Sequence, residues 1–485
     1  MEFMVQQEEI HPSCKIRYLI LLTLGPYWAY FIPYTTMKKI VYNGTVINEG
    51  RRFLGYVVIN DSLIVEVGEG RPSSCLLDEC DEKFDVQEAM ILPGAIDAHV
   101  HFREPGMTHK ADIASEGRAA AVGGVTSVMD MPNCKPATVT IADLEAKFEK
   151  AAETCMVNYS AYIGATNTNF DELKKVDFSK VCGIKAFLGT STGGMLLSDA
   201  EAKRRVFSEF GTIIAVHSED EDIINANREA LLKKMGGDDL PLGYHSKVRT
   251  AEACYESTRR AVDLARKCGT RLHVLHISTA KELALFDSTP LAVKKITAEA
   301  CVAHLLFTEA DGARLGARIK CNPSVKTPAD RESLRKALRS GVLDVISTDH
   351  APHLLEEKEG GCLKAASGMP MVQFSLVAML ELAHQGIFTP EMVVGKMCHA
   401  PALLYRVDKR GYLRPGYKAD IAVVKEVPEG LTITDADVVS KCGWTPLNGS
   451  TVHHQVVMTM VNGEVAYAYG KVNDSVRGER LTFKN

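Results

Sequence analysis

Alternating apolar and polar residues recur in short runs at two separated places along the chain. Lys39–Tyr42, Gly55–Asn60 and Ser62–Val67 follow a period of two, with Asn43-Gly44 and Asn60-Asp61 as turn signals, and this predicts β-strands. The same texture returns at Asp420–Val424, Val456–Val461 and Glu464–Ala468, with Asn462-Gly463 as a hairpin turn between the last two. Two strand-rich ends around a long middle predict one small β-sandwich domain built from both termini. Two unrelated hairpins are the plainer alternative.

The middle alternates buried-strand runs with helical periodicity. The strand runs are Ala95–Ala98, Val125–Met129, Asn158–Ile163, Gly183–Phe187, Ile213–Val216, Leu272–Leu275, Lys294–Ile296 and Val345–Ser347. Helical patterns lie between several of them: Ile141–Cys155, Ala251–Cys268 closed by Gly269, and Asp330–Ser340 closed by Gly341. Eight such units predict an α/β fold, a (β/α)8 TIM-type barrel rather than an open doubly wound sheet. The expected layout is a β domain from 37–90 and 411–472, a barrel over 91–410 and a C-terminal tail over 473–485. No G-x-G-x-x-G or Walker loop appears, which weighs against nucleotide binding.

Composition narrows the class. The chain has 485 residues, 46% hydrophobic and 24% charged, and 56 basic against 61 acidic residues give a net charge of -5. That balance predicts neither a nucleic-acid partner nor a disordered acidic effector. Its 13 cysteines include no C-x-x-C pair, so a disulfide framework and a thiolate zinc module are both disfavoured and a reducing, cytoplasmic setting fits. One segment departs from these averages: Tyr18–Tyr34 is uncharged and apolar and follows Lys15 and Arg17. It is short for a membrane span, Pro26 and Pro33 would break it, and no small-x-small cleavage site precedes Thr35. We read residues 1–36 as an extension ahead of a start at Met37, in preference to a signal anchor, and expect no membrane association.

Candidate chemistry begins at His99-Val100-His101, at the end of the first barrel strand. Residues i and i+2 of a strand face one side, so both imidazoles can reach one metal ion. Alone, the pair is a weak signal and reads more readily as buried structural histidines. However, Lys185, His217, His276 and Asp349 stand at other strand ends, where barrel active sites lie. Lys185 is the odd member, since an ammonium repels cations. Burial would favour its neutral amine, which can be carboxylated to an anionic bridge between two ions. The competing reading is a lysine paired with a carboxylate at the barrel mouth.

With these motifs in place, the chain resembles the amidohydrolase superfamily, and within it the dihydroorotases, from Met37 to about Val472. The resemblance rests on Pro93-Gly94, on Asp97-Ala98-His99-Val100-His101-Phe102-Arg103-Glu104-Pro105-Gly106, on Gly123-Gly124-Val125-Thr126 and on Met131-Pro132-Asn133. Lys185, His217, His276, Thr348-Asp349-His350-Ala351-Pro352-His353 and Gly416-Tyr417-Lys418-Ala419-Asp420-Ile421 extend it. It implies a binuclear zinc centre, with His99, His101 and Asp349 on one ion, His217 and His276 on the other, and N6-carboxylated Lys185 bridging. A hydroxide nucleophile and Asp349 as general base and acid would then hydrolyse a cyclic amide reversibly.

Allantoinases and hydantoinases share that scaffold, so substrate choice rests on finer features. Arg103, Asn133 and His353 together are what the resemblance implies for binding the free carboxylate of dihydroorotate, with Asn322 on its ring. The implied reaction links (S)-dihydroorotate and N-carbamoyl-L-aspartate in pyrimidine biosynthesis. Individually the three have duller readings: a surface pair with Glu104, a turn after Pro132 and a loop histidine. Two stretches depart from the family pattern. Asn322-Pro323-Ser324-Val325-Lys326 replaces N-P-P-L-R, and the loop from His353 through Gly360-Gly361-Cys362 to Ser367-Gly368-Met369 is unusual and reads as a lid. His273, His304, His453 and His454 read as structural, and Cys134, Cys182 and Cys321 as core thiols. A small-molecule substrate and, by base rate, a homodimer complete the expectations. A catalytically silent scaffold is the alternative from another class, disfavoured because every ligand is kept.

Overall fold

The computed structural model describes residues 36–189, 195–237 and 240–484, so the apolar segment Tyr18–Tyr34 lies outside the described residues. The N-terminal alternation folds as expected. β1 (Lys38–Asn48), β2 (Arg51–Asn60) and β3 (Leu63–Glu69) form an antiparallel meander, and β4 (Glu82–Asp85) and β5 (Met90–Pro93) pair with β1 in parallel. The Asn43-Gly44 pair does not turn the chain. It sits inside β1, where Asn43 takes a φ of 61° and the register with β2 shifts between Val41 and Gly44, so it makes a bulge. Gly44 is required there, because a Cβ would come 2.7 Å from Ala89 O.

The barrel follows as β6 (Ala95–Val100), β7 (Val125–Asp130), β8 (Asn158–Ala161), β9 (Ile163–Gly164), β10 (Ile184–Phe187), β11 (Ile213–His217), β12 (Arg271–Val274), β13 (Ile296–Cys301) and β14 (Val345–Ser347). Every pairing among them is parallel. β8 and β9 are one strand interrupted at Tyr162, whose N–H turns to Asp130 O, so the segments fill eight barrel positions. Closure comes where Val100 bridges His350 and His101 N–H donates to His350 O at 2.7 Å. β6, β7, β10 and β11 are buried along their whole length, as parallel strands covered on both faces are.

One strand is displaced from its expected place. The run at Lys294–Ile296 only leads into β13, because Lys294 turns its ammonium to Asp344 and Val342 O. The strand itself is Ile-Thr-Ala-Glu-Ala-Cys, poor in β-formers, and is held by pairing with β12 and β14. Helix Ala251–Cys268 has the expected bounds, capped by Thr250 and by Gly269 at a φ of 72°. The helix expected from Asp330 begins at Pro328, because Thr327 and Asp330 form a capping box around that proline.

The chain then returns to the terminal sheet through β15 (Ile421–Thr432), β16 (Thr451–Val461), β17 (Glu464–Ala468) and β18 (Lys471–Val472). β15 pairs with β5, so both ends of the sequence share one nine-stranded mixed sheet separate from the barrel. Asn462-Gly463 makes the expected two-residue hairpin, with Val461 opposite Glu464. The last residues lie against the barrel: Tyr159 exchanges backbone bonds with Glu479 and Leu481, and Leu481 is fully buried. No helix among the described residues is long and apolar enough to cross a membrane.

Candidate metal centre

The six metal-ligand candidates converge on the C-terminal mouth of the barrel. His99 lies in β6 and His101 just past it, Lys185 lies in β10, His217 ends β11, and His276 and Asp349 follow β12 and β14. His276 and Asp349 adopt φ values of 40° and 51°, backbone that L-residues seldom take and that turns their side chains back over the barrel axis. Asp97 ties the two ends of the barrel together: its carboxylate accepts from His99 N–H at 3.2 Å and from Thr348 N–H at 3.1 Å. All six line one cavity of about 180 Å³, room for a small ring, together with Arg103, Asn133, Asn322, Phe187, Arg249 and Gly368.

The donor atoms fall into two groups. His99 Nε2 and His101 Nε2 stand 3.2 and 3.1 Å from Asp349 Oδ1, and His217 Nδ1 stands 2.9 Å from His276 Nε2. Donor atoms sharing one tetrahedral ion are about 3.3 Å apart, so the spacing of the first group fits a cation with little movement, and the second group offers two imidazole nitrogens beside it. His99, His101 and Asp349 form a set able to hold a metal ion. Burial pushes His101 down to about 4 and holds His217 and His276 below the ordinary imidazole range, keeping the neutral form that ligates. Burial alone would raise Asp349, but His99 and His101 outweigh it and keep the carboxylate ionised.

Lys185 fits the same centre. It is fully buried, its Nζ has no hydrogen-bond partner among the described residues, and burial pushes its amine down to about 7. An unpaired buried amine near neutrality is a nucleophile rather than a counter-ion. The competing reading, a lysine paired with a carboxylate at the barrel mouth, finds no such ion pair there.

Carboxylates behind the ligands went unread in the sequence. Glu299 Oε1 accepts from His99 Nδ1 at 2.6 Å, and Glu219 Oε2 accepts from His217 Nε2 at 3.0 Å. Arg249 Nη1 in turn donates to Glu219 Oε2 at 2.5 Å. Asn133 Oδ1 lies 2.8 Å from His101 Nδ1, which fixes that proton and turns Nε2 to Asp349. Asn133 therefore orients a ligand as well as lining the cavity. His217-Ser218-Glu219 is itself a same-face strand-end pattern, which could have flagged Glu219. Glu299 gave no local signal.

The substrate side is strongly cationic. Arg103 takes a φ of 66°, is buried, and donates through Nε to Pro352 O at 3.0 Å. No carboxylate lies within ion-pair distance of it among the described residues. His353 lies behind Arg103, outside the cavity wall. Its Nδ1 accepts from Lys110 at 3.0 Å, its Nε2 faces Ser367 O at 3.1 Å, and burial with the adjacent cations keeps the ring neutral. Asn322 Oδ1 is buried without a partner. Lys326 donates to Ser324 O and Oγ at 2.8 Å each. The unusual loop is stapled by buried Lys358, which donates to Lys320 O at 3.0 Å and to Ala366 O and Gly368 O at 2.6 Å. Gly368, at a φ of 137°, has no room for a Cβ, which would lie 2.5 Å from Ala351 O.

His304 donates to or accepts from nothing at the centre; its Nε2 lies 2.9 Å from Pro323 O, and His453 pairs with Glu381. His273 is buried behind the centre against Thr297 and Glu299. Every described cysteine is a free thiol.

Comparison with known proteins agrees with this geometry. A model of the amidohydrolase family matches residues 90–466. The dihydroorotase of Lactobacillus acidophilus is 32% identical over 445 residues, covering 90% of this chain and 100% of that protein. An allantoinase of Bacillus velezensis is 30% identical over 438 residues, covering 89% and 94%. Among solved structures, the L-hydantoinase (dihydropyrimidinase) of Arthrobacter aurescens superposes with a TM-score of 0.84 at 26% identity, covering 92% of this chain and 99% of that one. A barrel whose strand ends gather four histidines, an aspartate and an unpaired lysine, in a chain matched along nine-tenths of its length, belongs to the amidohydrolase family as one of its cyclic amidohydrolases.

Proposed function

We propose that the protein interconverts (S)-dihydroorotate and N-carbamoyl-L-aspartate, with two zinc ions held by His99, His101, Asp349, His217 and His276 and by carboxylated Lys185. The observation that carries this reading is Arg103, a guanidinium buried in the cavity wall with no carboxylate of its own. A buried cation without a counter-ion is costly, and a substrate carboxylate offsets that cost through a charge-assisted, bidentate contact. Asn322 Oδ1 offers an acceptor to a ring N–H, and the amide nitrogen of Asn133 is a donor toward the same space. His353 acts through Arg103, whose Nη2 lies 3.1 Å from its ring.

When bound, the ion pair supplies Lewis acidity to the amide carbonyl and lowers the pKa of the attacking water. Asp349 takes that water's proton and delivers it to the departing ring nitrogen. Its ionised state at neutral pH suits the first task. Lys358 and Gly368 hold the loop that covers the ring.

A second reading, a hydantoin or allantoin ring as substrate, is supported by the names of the structural relative and of the allantoinase above. A panel of dihydroorotate, hydantoin and allantoin assayed on zinc-loaded protein tests both. Turnover of dihydroorotate is expected, with Arg103→Ala raising its KM at least about 10-fold while zinc content is unchanged. Turnover of hydantoin or allantoin alone would replace the first reading with the second.

A further inference from the structure

We propose that Glu299 is a positioning residue that locks the two halves of the metal centre to each other. The inference rests on the metal-dependent reading above. Glu299 stands in β13, a strand that supplies no ligand, and is fully buried. A single oxygen, Oε1, accepts from His99 Nδ1 at 2.6 Å and from His276 N–H at 3.0 Å. His99 belongs to the first half and His276 to the second. The first bond fixes the His99 proton on Nδ1, so Nε2 must face Asp349. The second holds the backbone of His276 in its φ of 40°. The other oxygen, Oε2, faces His273 Nε2 at 3.4 Å, which sets the tilt of the carboxylate.

The surroundings of Glu299 are as informative as its hydrogen bonds. No lysine or arginine among the described residues lies within ion-pair distance of it. A buried carboxylate with no cationic side chain beside it is a natural back-up for a metal-bound imidazole. A divalent cation held by His99 would supply the missing charge, through an imidazole that the carboxylate makes more basic. Cys301 Sγ is 3.6 Å from Oε1, but burial pushes its thiol far up, so it offers no competing thiolate.

Two variants separate the roles. Glu299→Gln keeps an acceptor oxygen and the side-chain shape but removes the charge, whereas Glu299→Ala removes both. The full-length protein is loaded with zinc, then challenged with a chelator while zinc per chain is followed over time. Glu299→Gln is expected to release zinc about 10–100-fold faster than the unaltered chain, and Glu299→Ala to release both ions in one phase. Should the alanine variant fail to fold, the glutamine variant alone decides. Release at the unaltered rate in Glu299→Gln, with only a lower melting temperature of the metal-free chain, would mean a merely structural role and overturn the inference. An unaltered chain that takes up no zinc would overturn both this inference and the metal-dependent reading.

Discussion

The two halves of the metal centre are built on one plan and balanced differently. In each, a histidine at a strand end is backed by a buried glutamate: His99 by Glu299, His217 by Glu219. Glu219 shares its charge with Arg249, whereas Glu299 has histidines, a backbone N–H and the Cys301 thiol but no lysine or arginine among the described residues. The first half also owns Asp349, and the second has no carboxylate ligand. A cation in the first half would therefore meet Asp349 and, through His99, Glu299, whereas one in the second would meet a glutamate already paired with Arg249. On the proposed reading the first half would be the stronger cation site and would carry the proton-transfer group, and the second half would depend more on Lys185. Similar local geometry thus yields unequal sites once the distant charges are counted.

The largest expected effect tests where the proton transfer lives. Asp349→Asn keeps an oxygen near His99 and His101 but removes the base, so kcat should fall about 10²–10⁴-fold. Zinc in the second half should remain, because His217, His276 and Lys185 are untouched. Steady-state turnover and zinc content measured on one sample check both statements. A near-normal kcat would move the base elsewhere and dissolve the asymmetry.

What the sequence made legible follows the same division between near and far. The candidate ligands could be picked out because each sits at the end of a strand run, and strand ends of a barrel converge whatever the loops do. Their supports could not. Glu299 and His99 are 200 residues apart, and nothing near Glu299 marks it as a partner of a ligand. The error at β13 compounded this, since a strand placed at Lys294–Ile296 leaves Glu299 in a loop. Arg249 reaches Glu219 across 30 residues from outside any barrel strand. Asn43-Gly44 failed for a related reason: its turn chemistry is real, but pairing with β2 on both sides turned it into a bulge.

A medium-sized effect tests the balance itself. Arg249→Met strips Glu219 of its counter-charge and makes the second half resemble the first. The metal-free chain should lose about 3 kcal/mol of stability, as expected when one partner of a buried pair is removed. Zinc loading should restore part of that loss, because the cation takes over the role of Arg249. Thermal unfolding with and without zinc measures it. An equal loss in both conditions would mean that Arg249 and the metal do not share Glu219.

The smallest effect is the pH dependence of the metal-free chain, where the two halves should fail in different windows. His101 of the first half has a folded value near 4, below its unfolded value of 6.5. The unfolded chain then binds the extra proton between those limits, so the stability gained from neutral His101 is full above 6.5 and is lost as pH falls toward 4. Glu219 of the second half is depressed below 4.5: burial opposes the shift, and Arg249 and His217 outweigh it. Its contribution is present above 4.5 and is lost only as pH falls further. His101→Asn should flatten the melting curve between pH 6.5 and 4, and Glu219→Gln should flatten it only below 4.5, each by about 2 °C. Coincident windows in the two variants would mean that the halves titrate as one unit, with Glu299 the bond through which they do so.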